Sequence, residues 1–200
     1  MTGVPRFVLA SASPARLTTL RRAGLDPVVV VSGVDESGVT GNPTDVALTL
    51  AKRKAADVAA HESAALVLGC DSVLELDGET HGKPVDAAEA TARWRRMRRN
   101  SGVLHTGHCL VDTGSGREAS AVASTVVHFA DVSDAEIEAY VGTGEPLQVA
   151  GAFTIDGIGG PFVDGIEGDH HNVVGLSLPL LRRLVHELGY RWTDLWMPGS

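Results

Sequence analysis

Short apolar runs and helical stripes alternate along this chain from one end to the other. Residues 7–10 form an apolar run of the kind expected for a strand buried on both faces. Ser13 is a suitable N-cap and Pro14 suits the first helical position, so the pattern predicts a helix directly after that strand. Valines 28–31 predict a second strand. Asn42-Pro43-Thr44 opens a helix over roughly 44–60. The run ALVLGC (65–70) predicts a strand that ends at Asp71. Asp77-Gly78 is a hairpin signal between 73–76 and the segment after it. Residues 86–99 read as a helix whose basic end suits a helix C-terminus and whose arginines form a solvated face. Segments 103–112 and 117–130 alternate as two long strands joined at 113–116. Ser133 and Glu136 make a capping box for a helix with Ile137, Tyr140 and Val141 on one stripe. Residues 150–170 are glycine-rich and irregular. A last helix shows Leu181, Leu184, Val185 and Leu188 before Gly189. Interspersed helices and strands with a long hairpin predict an α/β fold on a mixed sheet.

Composition narrows the class. The 200 residues contain 44% hydrophobic and 21% charged side chains, enough to bury a core within one domain spanning 1–200 without a separable linker. No apolar run approaches the ~20 residues of a membrane span, and the N-terminus lacks a long apolar leader segment. Cys70 and Cys109 make neither a metal spacing nor a disulfide framework, so a reducing cytosol is the expected compartment. A formal net charge of −8 argues against a long nucleic acid on a broad basic surface, while leaving room for one nucleotide in a local basic pocket.

Several residues then stand out chemically. Arg16 falls in the first turn of the first predicted helix, where free N–H groups and the positive dipole end disfavour a cation unless an anion is near. With Ser11 and Ser13 before it, the stretch reads either as an anion site, phosphate being the usual anion, or as an ordinary loop with a solvent-facing arginine. Lys54 lies in the stripe of Ala47, Leu50, Ala51 and Val58, whereas Lys52 points away. A lysine there needs an anion or must snorkel out. GETHGKP (78–84) is not a phosphate-binding loop of the Walker type. It has three residues between its glycines, and Pro84 follows the lysine in place of a hydroxyl residue. It is a turn that presents Lys83, and a plain exposed lysine satisfies it too. Asp71, at its predicted strand end, suits a general base, a metal ligand or a turn cap. His105 and His108 would face opposite sides of a strand, and His170 and His171 would diverge if extended, so neither pair makes a zinc site. Cys70 reads as a buried structural thiol.

Seven segments follow one another in the order found in the Maf family: SASPAR (11–16), LAKRKA (50–55), CDS (70–72), GKP (82–84), HTG (105–107), EPL with AGAFTIDG (145–157), and IEGDHHNVVGL (166–176). From about residue 7 to about 188, the chain resembles Maf proteins. The resemblance implies an inosine-triphosphatase-like fold, with a twisted mixed sheet flanked by helices and two lobes around a cleft. It implies hydrolysis of a nucleoside triphosphate, including non-canonical ones, to the monophosphate and pyrophosphate. A divalent cation (Mg²⁺, Mn²⁺ or Co²⁺) and a homodimer are part of what it implies. A nucleotide-binding regulator of cell division with little or no turnover is the alternative.

Carried over position by position, Asp71 matches the catalytic carboxylate, which would activate water for attack on the α-phosphorus. Ser11, Arg16, Lys54 and Lys83 match triphosphate-binding positions, and Glu36 matches an acidic position that could hold the metal together with Asp71. Family members preferring dTTP and UTP carry Thr and Gln where this chain has Ser72 and Asp156. Ser72 keeps the hydroxyl. Asp156 only accepts hydrogen bonds where an amide also donates, so the pyrimidine preference is not carried over. Ala15 replaces an arginine, and Ser177 a proline, of the usual motifs.

Overall fold

The computed structural model describes residues 5–197. Seven strands form one sheet in the order β2-β1-β3-β5-β6-β7, with β4 pairing on β3. β1 (Arg6–Leu9) runs parallel to both β2 (Val28–Val29) and β3 (Ala65–Leu76). All other pairings, involving β4 (Glu79–His81), β5 (Ser101–Asp112), β6 (Arg117–Phe129) and β7 (Val163–Glu167), are antiparallel. The chain thus has the mixed-sheet α/β architecture that its periodicity predicts. α1 (Pro14–Arg22) is capped by Ser13, α2 (Pro43–Ala59) by Asn42 and α3 (Ala87–Met97) by Asp86. α4 (Asp134–Gly142) carries the predicted capping box, and Ser177 caps α6 (Leu178–Glu187).

Three expectations are corrected. The runs 65–70 and 73–76 are one twelve-residue strand, so Asp71 lies in the middle of β3 and not at its end. A buried carboxylate with a lysine partner sits within a ladder without breaking it. β1, however, pairs with β3 only as far as Leu68. Asp71 therefore lies just beyond the end of its parallel neighbour, the kind of crevice in which α/β sheets bind ligands. His170 and His171 are not extended but open a short helix, α5 (His170–Val174), capped by Asp169. Of the arginines of α3, Arg93 is buried, not solvated. Its guanidinium donates to the carbonyl of Gly82 at 2.6 Å and to Glu89 at 2.5 Å.

Strand alternation decides what the middle of β3 faces. Leu66, Leu68 and Cys70 join the apolar cluster under α1 and α6, and Leu74 and Leu76 join a second cluster around Trp94 of α3. Between them, Ser72 shares a hydrogen bond of 2.9 Å with Thr106, a polar layer separating two apolar ones. Gly69 and Asp71 point the other way, toward α2. A Cβ on Gly69 would lie 2.3 Å from the carbonyl oxygen of Ala51, and one on Gly107 would lie 2.2 Å from that of Ala47. Only glycine at both positions lets α2 sit this close to the sheet, and that seat carries Lys54 onto Asp71.

Candidate active site

β1 ends at the floor of the site, and the turn after it supplies Ser11, Ser13 and the start of α1. Ser13 Oγ accepts from the Arg16 N–H at 3.4 Å, closing the cap. The Arg16 side chain is buried and spreads its donors widely. Nε donates to the Gly175 carbonyl at 2.8 Å, and Nη1 to the Cys70 carbonyl at 2.8 Å and Ser11 Oγ at 3.1 Å. Nη2 donates to Ser72 Oγ at 3.0 Å. All of these acceptors are uncharged, and Arg16 forms no ion pair among the described residues. A buried guanidinium whose hydrogen bonds all go to neutral oxygens has only the longer-range field of the Asp71 carboxyl to offset its charge, so it favours a further anion alongside.

α2 brings the second cation. Lys54 Nζ lies 2.5 Å from Asp71 Oδ1 and 2.7 Å from Glu36 Oε1. The Lys54 and Asp71 side chains are each 11% exposed, whereas Glu36 is 58% exposed in the loop before α2. Burial pushes the Asp71 carboxyl above the usual carboxylate range, against the opposing pull of Lys54 and Arg16. Asp71 Oδ2 makes no hydrogen bond among the described residues. A buried carboxylate with one oxygen fixed by a cation and the other free is arranged to take a proton or to bind a cation.

Six of the expected residues thus form two groups in direct contact, Arg16 with Ser11 and Ser72, and Lys54 with Glu36 and Asp71, and the two groups meet in sequence at Asp71 and Ser72 of β3. Lys83 and Asp156 are not tied to this cluster by any hydrogen bond or ion pair among the described residues. Lys83 stands exposed on its turn, which is anchored because Gly82 O accepts both from Arg93 and from the Gly151 N–H at 3.1 Å. Asp156 lies in a loop clamped by Glu145.

A family model described as Maf-like protein matches residues 6–188, a span that contains every residue of this cluster. The chain belongs to the Maf-like protein family. Within that family it is similar to a nucleoside triphosphate pyrophosphatase of Streptomyces coelicolor, 62% identical over 205 aligned positions that cover all of both chains. Proteins of the same name in Salinispora tropica and Nostoc punctiforme are 62% and 53% identical. The first alignment covers 98% of this chain and 89% of the relative, the second 96% and 98%. No helix among the described residues is long and apolar enough to cross a membrane.

In this Maf-like chain, several supports of the site left little trace in the sequence. Two of the acceptors of Arg16 are main-chain carbonyls, which no side-chain pattern announces. Thr106-Gly107 had a visible signal in HTG, but their meaning is spatial: Thr106 backs Ser72, and Gly107 pairs with Asp71 across the ladder. His108 is also structural. It is buried, its Nδ1–H donates to the Thr106 carbonyl, and its Nε2 accepts from the Ser177 N–H. Burial lowers its pKa to about 4, so it is neutral at pH 7. His105 faces away from it, between Ser124 Oγ at 2.8 Å and Glu75 Oε2 at 2.9 Å.

Proposed function

We propose that this chain hydrolyses a nucleoside triphosphate to the monophosphate and pyrophosphate, with Asp71 as the group that takes the proton of the attacking water. One observation carries the reading: the buried Lys54 ammonium bridges Asp71 and Glu36, next to a buried Arg16 that lacks a carboxylate partner. Triphosphate hydrolysis asks for this mixture of cations to offset spread negative charge and a carboxylate to orient water.

In the proposed reaction, water bonds to the α-phosphorus as the bond from that phosphorus to the oxygen bridging toward the β-phosphorus breaks. Pyrophosphate leaves with the electron pair, and the water proton passes to Asp71. Burial raises the pKa of Asp71, which makes it a better base than a solvent-exposed carboxylate. Arg16, Ser11 and Lys54 face the phosphates. Lys83 adds a cation from its anchored turn, and Ser72 fixes the Arg16 fork from below. Glu36 and Asp71 also suit a divalent cation such as Mg²⁺, Mn²⁺ or Co²⁺. They are two hard oxygen donors, and Asp71 Oδ2 has no protein partner among the described residues. When bound, such a cation would supply further charge neutralisation on the phosphates.

The test is inorganic pyrophosphate release from a panel of nucleoside triphosphates, with wild type and Asp71→Asn side by side. Loss of a general base lowers turnover by about 10²- to 10⁴-fold, and nucleotide binding is expected to persist. Undiminished turnover in Asp71→Asn refutes the assignment. Orthophosphate as the product replaces it with an ordinary phosphatase. Binding with no turnover of any nucleotide favours a regulator.

A further inference from the structure

We propose that Ser124, His105 and Glu75 form a second catalytic site, which cleaves carboxylic esters that carry an apolar chain and an anionic end. The strand register builds it. Ser124 of β6 stands directly opposite His105 of β5. Val73 of β3 pairs with His105 on the other side, and Glu75 follows two places on, at the diagonal position. All three side chains therefore leave the same face of the sheet. Glu75 Oε2 accepts from the His105 Nε2–H at 2.9 Å, so Nδ1 carries the lone pair and accepts from the Ser124 O–H at 2.8 Å. A hydroxyl bonded to an imidazole that a carboxylate orients is the arrangement of an activated nucleophile. The His105 side chain is only 7% exposed, so water competes little for it, whereas Ser124 is exposed. The same connection recurs at Ser101, His128 and Glu167. There the imidazole and carboxylate side chains are 38% and 73% exposed, which leaves them to water.

Only the first of these serines opens onto a large groove. Ser124 lines a cavity of about 870 Å³ between β6 and α6, within the range of small-molecule sites. Val122, Leu178 and the half-buried Trp192 give it apolar walls that suit a hydrocarbon chain. Arg182 and Arg183 also line it, both exposed and neither with a hydrogen bond or ion pair among the described residues. Two unpaired guanidiniums suit a carboxylate or phosphate at the far end of that chain. The main chain supplies a further donor. The Phe129 N–H donates to the Asn100 carbonyl at the end of the β5–β6 ladder. Alternation from that pair turns the N–H of Ser124 away from β5. β7 reaches back only to Val126, so this N–H lies at an unpaired edge beside its own hydroxyl, where it can hold an oxyanion.

In the first half of the reaction, Ser124 Oγ bonds to the ester carbonyl carbon and its proton passes to His105 Nδ1. The carbonyl oxygen takes the electron pair and is held by the Ser124 N–H. As the double bond re-forms, the bond from carbon to the alcohol oxygen breaks, and the alcohol leaves with the proton from Nδ1. Water then attacks the acyl-serine in the same way. Its proton passes to Nδ1 and on to Ser124 Oγ as the carboxylic acid departs. Glu75 touches no reacting atom and is a positioning residue.

The experiment follows 4-nitrophenol release from mono-4-nitrophenyl glutarate and from 4-nitrophenyl butyrate. It compares wild type with Ser124→Ala, His105→Gln, Glu75→Gln and Ser101→Ala, and mass spectrometry locates the adduct of an alkyl fluorophosphonate. Wild type is expected to prefer the anionic glutarate ester and to be labelled at Ser124 but not at Ser101. Ser124→Ala and His105→Gln should each lose about 10²- to 10⁴-fold in kcat/KM, and Ser101→Ala should match wild type. Glu75→Gln should lower kcat and leave KM unchanged, which a loss of structure alone would not do. Because the Ser124 hydroxyl is exposed, Ser124→Ala should keep its thermal midpoint and its pyrophosphate release. No ester turnover or labelling in wild type, turnover retained in Ser124→Ala, or equal labelling at Ser101 overturns the proposal. A faster reaction with the neutral ester overturns the assigned substrate class. Parallel loss of ester cleavage and pyrophosphate release in Ser124→Ala overturns the separateness of the two sites. The ester and labelling arms decide the outcome whether or not any nucleotide yields pyrophosphate.

Discussion

Replacing Gly107 by Ala adds one methyl group at the seat of α2. That Cβ would lie 2.2 Å from the carbonyl oxygen of Ala47, 2.5 Å from its carbon and 2.7 Å from the nitrogen of Leu48. All three are backbone atoms, so no side chain can swing aside. Ordinary contact begins near 3.5 Å, and the helix must retreat by about 1 Å to reach it. Overpacking of this kind costs about 1–3 kcal/mol, which lowers Tm by roughly 3–10 °C in a chain of this size. The larger effect falls on chemistry. Lys54 lies two turns along the same helix face, and its contact with Asp71 is 2.5 Å. A displacement of about 1 Å at a reacting centre lowers kcat by about 100-fold. Differential scanning calorimetry and pyrophosphate release would be measured on Gly107→Ala and on Gly165→Ala, whose added Cβ meets nothing within 4 Å. If Gly107→Ala matches the control in both, the close seat of α2 does not set the Lys54–Asp71 geometry.

Two further outcomes follow from the same contacts. The folded pKa of His108 is about 4, below its ordinary 6.5, because the ring is buried. The unfolded chain therefore takes up the proton first as pH falls. Its contribution is fully present above about pH 6.5 and is lost on descent toward pH 4, amounting to about 3 kcal/mol. Urea midpoints at pH 7 and pH 5 should separate more for wild type than for His108→Gln, which cannot titrate, and equal separations would exclude this role. Arg93→Lys should keep the charge but lose the fork onto Gly82 and Glu89. Steady-state assays should show a KM raised about tenfold with kcat little changed, since the Lys83 turn loosens. An unmoved KM would place Lys83 outside substrate binding.

Local signals announced most of the frame. The Asp77-Gly78 turn has positive φ at both residues, 53° and 79°, as a tight hairpin needs. The stripe that exposed Lys54 as an anomaly is the stripe that α2 buries. Asp71 was noticeable as a charge after an apolar run, but its place within β3 was hidden, because a single carboxylate looks like a strand end when its lysine partner is seventeen residues away in sequence. Arg93 looked like one of a row of solvated cations, and nothing local says which of several arginines finds a carbonyl. The glycines at 69 and 107 were equally silent, since their meaning lies in the helix above them. α5 was missed because five residues are too few to show a helical period. What resisted reading in each case is a contact between distant segments.

The bond from Arg16 Nε to the Gly175 carbonyl spans 159 residues. A chain that leaves the ribosome N-terminus first makes its cationic turn early and must wait for almost its whole length before that guanidinium is aimed. Until then, the closure entropy of so long a loop stands against the contact. Nascent and C-terminally truncated forms therefore lack the contact that aims the Arg16 guanidinium, and its other acceptors must hold it alone.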